Sequence, residues 1–497
     1  MILFLPIALP FATAILAFFF RHGREGRWIS LVGSLLHLAM GFLVLVAVLG
    51  DGPFAEQMGG WPAPFGITLV ADTLSAVMVF VTGIVALTVS IYAVAEIDRP
   101  VERLGYHALF QVLIAGVTGA FLTGDLFNLY VWFEVMLIAS FGLLVMGGGR
   151  AQLDAGIKYV VLNLISTILF LSAIGLLYGA TGTLNLAELH FAVAEADPGT
   201  MTVVAGLFLV GFGIKAGVFP LFFWLPASYH TPSFAVSAVF AGLLTKVGVY
   251  ALIRMFTLVF THDVAFTHTV MLWVAVLTMI VGVLGAAAQT DMRRILSFHI
   301  VSQIGYMVLG LALMTPLAMA GSVFYLVHHI VVKANLFLIA GVARRIGGST
   351  EIDHVGGLYK GAPALAFLFL IPAFSLAGFP PLSGFWAKYV LLLAALELAE
   401  WVVAFVVLAV GLMTIYSMTK IWGRAFWAPH PGGVVPRLSE MALGERAAML
   451  LPVAMLAALT VAIGLWPQFV MFLAETAASQ LLDPWRYLAA VLGPEAV

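Results

Sequence analysis

The sequence predicts an all-α polytopic membrane protein of about fourteen transmembrane helices, built as two inverted five-helix repeats that each contain a broken helix. Three observations point there. Hydrophobic residues make up 63% of the 497 residues and charged residues 9%, with a mean hydropathy of +1.11. Apolar runs of about 20 residues recur with short loops between them, the length a helix needs to cross a hydrocarbon layer, whereas the ten-residue alternation of an outer-membrane β-barrel is absent. Finally, KAGVFPL at 215–221 is echoed by LAGFPPLSGFWAK at 376–388, with the Ala-Gly pairs 161 residues apart.

In chain order the runs place span 1 near 2–20, span 2 near 28–49, span 3 near 73–97, span 4 near 105–122 and span 5 near 125–147. Span 6 follows near 152–179, span 7 near 202–229, span 8 near 233–257, span 9 near 266–289 and span 10 near 294–315. Span 11 falls near 317–343, span 12 near 361–396, span 13 near 402–427 and span 14 near 447–474. The first run lacks a basic leader and precedes Arg21, Arg24 and Arg27, which predicts a retained helix and not a cleaved signal.

Charge supports this count. The loops after spans 1, 3, 5, 9, 11 and 13 also hold Arg99, Arg103, Arg150, Arg293, Arg294, Arg344, Arg345, Lys360, Arg424, Arg437 and Arg446, whereas the other side holds only Arg254 and Arg486. By the positive-inside rule the basic loops face the cytoplasm, so both termini lie outside a multi-pass chain in the cell membrane. The stretch 51–72 and the acidic loop around Glu188, Glu195 and Asp197 then fall on the outer side, as short re-entrant or capping structure.

Spans 7 and 12 are the broken helices. Pro220, Pro226 and Pro232 interrupt the first, and each proline removes a backbone donor, so freed carbonyls must be satisfied by protein or water and not by lipid. The 161-residue offset carries the start of span 4 onto span 9; five spans separate the copies, and an odd number reverses orientation. The organisation read from this is an N-terminal three-helix unit at 1–104, a first repeat at 105–257, a second, inverted repeat at 266–428, and a C-terminal helix and tail at 447–497.

Several function classes are excluded. There is no cysteine, so thiolate zinc sites, iron–sulfur clusters and disulfides are ruled out. No HExxH or glycine-rich phosphate loop occurs, and the net charge of -2 gives no footprint for nucleic acid. The histidines lack supporting carboxylates at ligand spacing, so neither a metal nor a cofactor is expected. The aromatics Trp61, Trp132, Trp224, Trp386 and Trp466 read as belt and packing residues.

What remains is buried charge. Lys215, Lys246, Lys333 and Lys388 lie well inside spans 7, 8, 11 and 12, while all fifteen arginines sit in loops, in the tail or at span ends. A desolvated lysine can give up its proton and an arginine cannot, so the lysines stand where a proton could move. Glu134 is the one mid-span carboxylate, expected within ion-pairing reach of Lys215 as either an electrostatic switch or a plain fastening of span 5 to span 7. His329 and Lys333 share a helix face four residues apart. His328 reads equally as a relay group or an interhelical hydrogen bond, and His299, nearer the cytoplasmic side, as a proton entrance or interfacial polar packing.

At these residues the chain resembles the antiporter-like subunits shared by the proton-pumping NADH dehydrogenase of respiration, complex I, and the multi-subunit Mrp cation/proton antiporters. Glu134 matches the family's span-5 glutamate, Lys215 its broken-helix lysine, Lys246 its span-8 lysine, His329 and Lys333 its span-11 HxxxK, and Lys388 its terminal basic residue. GGWPAPFGI at 59–67 and the chain length favour the D-type Mrp branch. The resemblance implies fourteen helices, a mid-membrane proton relay, exchange of protons against sodium, and partner subunits in a membrane complex. A redox-driven pump subunit of complex I or of a related hydrogenase is the alternative it leaves. Other classes weighed are an inert scaffold whose charges only join helices and a self-sufficient transporter.

Overall fold

The computed structural model describes residues 2–433 and 437–494; positions 434–436 of the loop after span 13 and 495–497 of the tail lie outside the described residues. Among those described, eleven helices are long and apolar enough to cross a membrane, and they fall on spans 2, 3, 5 to 11, 13 and 14. Spans 1, 4 and 12 are shorter apolar helices, Leu5–Phe19, Tyr106–Leu122 and Pro363–Ala377. At 1.5 Å per residue these reach roughly 22–26 Å, somewhat less than a ~30 Å hydrocarbon core. Span 12 resumes after its break as Ser383–Glu397.

The end of span 14 differs from its expected place, and two outer-side stretches take definite form. Span 14 stops at Leu465, because Pro467 cannot continue the hydrogen-bond ladder, and a separate helix Gln468–Leu482 follows. The stretch 51–72 is an antiparallel hairpin of Phe54–Gln57 and Thr68–Ala71, and the acidic loop holds the helix Leu186–Glu195, capped by Asn185.

The two breaks share their construction. The first half of span 7, Pro198–Ala216, ends at Gly217 with φ 80°, and the first half of span 12 ends at Gly378 with φ 93°. Only glycine adopts this left-handed turn without strain. Beyond it the Val218 N–H donates to the Gly213 carbonyl at 3.1 Å and the Phe379 N–H to Phe374 at 3.0 Å, which closes both helix ends alike. A cis proline follows each, Pro220 and Pro381.

A second pair of matching features holds spans 5 and 10. The helix Leu126–Val145 is capped by Asp125, which accepts from the Asn128 N–H at 2.7 Å, and Met292–Leu313 by Asp291, which accepts from the Arg294 N–H at 2.9 Å. Each capping residue forms an antiparallel bridge to a later loop, Asp125 with Asn185 and Asp291 with Glu351. The flanking bonds correspond as well: Leu126 to Leu184 and Leu186 to Gly124, against Met292 to Thr350 and Ile352 to Thr290, all 2.8–3.0 Å.

Burial sorts the helices by task. The membrane window of span 11, Pro316–Gly347, is 100% buried and those of spans 8 and 10 are 94% buried, while spans 2 and 6 reach only 39%. A helix apolar on every side belongs inside the bundle, so polar groups placed on spans 8, 10 and 11 are screened from lipid by the rest of the chain. Close contact depends on glycine: a side chain at Gly248 of span 8 would fall 2.5 Å from the Ala216 nitrogen of span 7.

Outside the spans, the Glu102 carboxylate gathers Arg27 at 2.9 Å, Arg99 at 3.3 Å and His107 at 3.3 Å. Burial pushes this carboxyl up, but the hydrogen bonds from His107 and Arg27 and the charge of Arg27 outweigh burial and hold it below its ordinary range. A carboxylate with a lowered folded pKa contributes stability that is fully present above its unfolded value, about 4.3, and lost as pH falls through the folded one. The cluster should therefore tie the 99–103 turn to span 2 throughout neutral pH and loosen only below about pH 4. Hydrogen exchange at residues 99–105 should rise in that acid window, and Glu102→Gln should give the faster exchange at pH 7 already. Topology is testable on the basic loops: a cysteine replacing Ser349 should react with an impermeant thiol reagent in inside-out vesicles and not in intact cells, and the reverse pattern overturns the orientation.

Candidate functional site

Glu134, half-buried on span 5, and Lys215, buried one residue before the end of the first half of span 7, are expected as a pair. They meet through a third residue. The Thr167 hydroxyl on span 6 donates to Glu134 Oε1 at 2.7 Å and accepts from Lys215 Nζ at 3.3 Å. Nζ also donates to the Asn163 carbonyl at 3.4 Å and lies 5.7 Å from the centre of the Phe133 ring. The sequence signal for Thr167 is its spacing four residues from Asn163, which puts both on one face of span 6. In an apolar run that spacing alone says nothing of a partner.

Lys246 is wholly buried in the helix Thr245–Arg254. The five residues before that helix, Phe240–Leu244, form a π-helical turn, and Lys246 Nζ donates to the carbonyl of Ala241. A π turn shifts one carbonyl out of the regular ladder, which is what a buried ammonium needs. Between Lys215 and this turn, at Leu244, lies a cavity of about 20 Å³ that Asn163 also lines. That is enough for roughly one water, with polar groups at hand to hold it.

On span 11, Lys333 Nζ donates to the Leu296 carbonyl of span 10 at 3.1 Å. His299 stands three residues further along span 10 and is fully buried. His299 and His329 are alike in that neither ring nitrogen has a protein partner among the described residues. His329 lies 6.3 Å, ring to ring, from Tyr325, whose hydroxyl donates to Gln303.

His328 turns instead toward span 12. Its Nδ1 lies 2.8 Å from Ser383 Oγ, which lies 3.0 Å from Ser375 Oγ, and the two serines stand on opposite sides of the break. Gly384 permits this approach: a Cβ there would sit 1.8 Å from the Ser375 carbonyl oxygen and 2.8 Å from the His328 ring. Lys388 reaches back across the break to donate to the Ala377 carbonyl at 3.2 Å, 5.0 Å from the centre of the Tyr306 ring. Sequence reasoning misses the serines and Tyr306, since serine in a membrane helix is common glue and only the fold brings these two together.

The site is thus a succession of buried polar groups from span 5 through spans 6, 7, 8, 11 and 12. Its chemistry is acid–base: each group can hold or pass a proton or stabilise a charge. Among the described residues no group of three or more His, Asp or Glu is arranged to hold a metal ion.

Residues 123–414 match the family model described as NADH:quinone oxidoreductase/Mrp antiporter, TM. The chain is 46% identical over 490 residues to the D-type subunit of the Na(+)/H(+) antiporter of Alkalihalophilus pseudofirmus, covering 98% of each. It is similar to a chain of the Mrp complex from Dietzia sp. DQ12-45-1b, with a TM-score of 0.91 at 34% identity and 99% of each chain covered. A chain of respiratory complex I from Thermus thermophilus matches with a TM-score of 0.81 at 26% identity, covering 97% of this chain and 100% of that one.

The bridging hydroxyl generates a direct test. Thr167→Val keeps the shape and leaves Lys215 without its side-chain acceptor, a loss on the order of 1–3 kcal/mol for a buried charged donor. The variant should melt at lower temperature in detergent, whereas Thr167→Ser should melt with the wild type. Equal melting of the valine variant would show that the hydroxyl does not secure the lysine.

Proposed function

The chain belongs to the NADH:quinone oxidoreductase/Mrp antiporter transmembrane family, and from that premise we propose that it is the proton-translocating subunit of a multi-subunit Na+/H+ antiporter in the cell membrane. The observation that carries the reading is the succession Glu134, Thr167, Lys215, a water-sized cavity, and the π turn that holds Lys246, inside a chain 46% identical over its length to the D-type subunit of a sodium/proton antiporter.

The working parts follow from the geometry. A proton arriving at Glu134 cancels the charge that favours the ammonium of Lys215, two hydrogen bonds away. Lys215 then releases its proton more readily, and the small cavity leads it toward span 8. His329 and Lys333 continue the relay on span 11, with His299 beside them on span 10, and His328, Ser383 and Ser375 carry it to Lys388. Each transfer changes the charge facing the next group, so proton position and helix position are coupled through electrostatics alone.

The wider reading is of fourteen spans with both termini outside, and of two inverted repeats at 105–257 and 266–428 flanked by 1–104 and 447–497. The matched glycine turns support it, as do the matched aspartate caps and bridges. Spans 5 to 9 are five long helices between the two bridges, and an odd number of crossings would put the bridges on opposite faces. Protons and sodium ions are the exchanged species in this reading, and other membrane subunits are the partners.

A conservative substitution separates a relay from an anchor. Arginine keeps the charge but does not release its proton. In vesicles containing the assembled complex, Lys246→Arg and Lys388→Arg should lose pH-dependent antiport nearly as fully as the alanine variants while partner chains still co-purify. Wild-type exchange from both arginine variants would leave these lysines as structural charges and end the relay reading.

A further inference from the structure

Span 1 carries a furrow along one flank, away from the succession just described. Near the end that bears the basic loops, Ala14, Ile15, Phe18 and Phe19 stand off from Leu104 and Ala108 at the start of span 4, leaving an apolar space of about 520 Å³. A second apolar space of about 480 Å³ lies on the same helix beside Phe4, Ala8 and Phe11, walled by Met58 of the hairpin and Trp132 of span 5. Ile15 lines both, so the two meet along span 1. From Phe4 to Phe19 the furrow runs about 22 Å, more than the roughly 15 Å that one leaflet contributes to a ~30 Å hydrocarbon core. The polar groups in its wall serve each other, since Trp132 Nε1 donates to Asn128 Oδ1 at 2.7 Å. What the furrow can take is therefore apolar.

One mouth of the furrow is basic. The Arg21 guanidinium lies 4.0 Å from the centre of the Phe18 ring and donates to the Phe18 carbonyl at 3.0 Å, while Arg103 is exposed next to Leu104. The two corners are held side by side: Arg99 donates to the Gly23 carbonyl at 2.7 Å, and Gly105, with φ 99°, faces the Phe18 ring. Arg27 and Arg99 are taken by the Glu102 carboxylate, but neither Arg21 nor Arg103 has a carboxylate partner among the described residues.

An apolar trough that ends at two unpaired guanidinium groups matches an occupant that is apolar along its length and anionic at one end. A transmembrane helix of another subunit would fill the trough and leave the arginines without an anion. A phospholipid supplies both parts, because guanidinium groups bind phosphate oxygens through charge-assisted hydrogen bonds and basic residues at a membrane face favour anionic headgroups. We propose that the furrow is a binding site for an anionic phospholipid, with one acyl chain lying along span 1 and the phosphate held by Arg21 and Arg103. The lipid fastens the short span 1 to spans 4 and 5, and on the orientation proposed above its headgroup belongs to the cytoplasmic leaflet.

The test uses the whole complex, purified in detergent, incubated with phosphatidylglycerol that carries a diazirine on its acyl chain, irradiated and digested. Adducts should fall on residues 14–19 and 104–112. Unlabelled phosphatidylglycerol should displace the probe roughly twentyfold better than phosphatidylcholine, about fivefold for each arginine. Arg21→Gln combined with Arg103→Gln, neither of them a buried side chain, should bring the two lipids level. Equal competition in the wild type reduces the furrow to ordinary lipid contact and overturns the site; absence of adducts shows that another subunit covers it and overturns it as well. If the double variant fails to assemble, 1 M salt, which shortens the Debye length to about 3 Å, should level the two lipids on the wild-type complex, and a preference that survives the salt overturns the role of the arginines. Antiport plays no part in this readout, so the site stands or falls apart from the translocation reading.

Discussion

The structure depends on one constraint: a bilayer offers an ammonium group no solvent, so each buried lysine must find its solvation in the protein. All four find it in a backbone carbonyl. Lys215 donates to Asn163, Lys246 to Ala241, Lys333 to Leu296 and Lys388 to Ala377. Two of these acceptors exist because a helix departs from the regular ladder, at the π turn of span 8 and at the break of span 12. The departures from regular helix are thus the sites of charge, and the glycines and prolines at the breaks serve the lysines as much as the fold.

A carbonyl stabilises an ammonium without neutralising it, and this distinguishes these four lysines from Arg254. Arg254 is locked to a carboxylate, where loss of the proton would strand a buried charge. Lys420 shows the purely structural use of lysine: it caps the end of span 9 by donating to the carbonyls of Ala287 and Gln289 at 2.8 and 2.5 Å. On a neutral acceptor the uncharged amine costs far less, so a proton can leave Lys246 or Lys388 without abandoning an anion.

Much of this is legible in the sequence. Lysines inside apolar runs are rare enough to declare themselves, and Gly217 and Gly378 with their prolines announce both breaks. What stays hidden depends on neighbours distant in sequence. Thr167 gains meaning only when Glu134 and Lys215 arrive on either side of it, and the Ser375 and Ser383 pair only when Gly384 lets the break fold back on itself. The π turn leaves no local signal, since Phe240–Leu244 reads as ordinary helix, and its register is set by packing. The hairpin at 54–71 escapes for another reason: the long Gly- and Pro-rich link between short strands masks their pairing.

The two halves use the same break to different ends. Lys215 precedes its glycine turn and reaches out to span 6, whereas Lys388 follows its turn and reaches back to the carbonyl that the turn exposes. The first half therefore ties its lysine to a neighbouring helix and to a carboxylate, and the second ties its lysine to the break alone. The hydroxyl of Thr167 stands between Glu134 and Lys215, whereas Lys388 has the Ala377 carbonyl and the Tyr306 ring beside it and forms no ion pair among the described residues. Glu134 thus stands at one end of the row of polar groups and Lys388 at the other, with the largely buried helices of spans 8 and 11 between them.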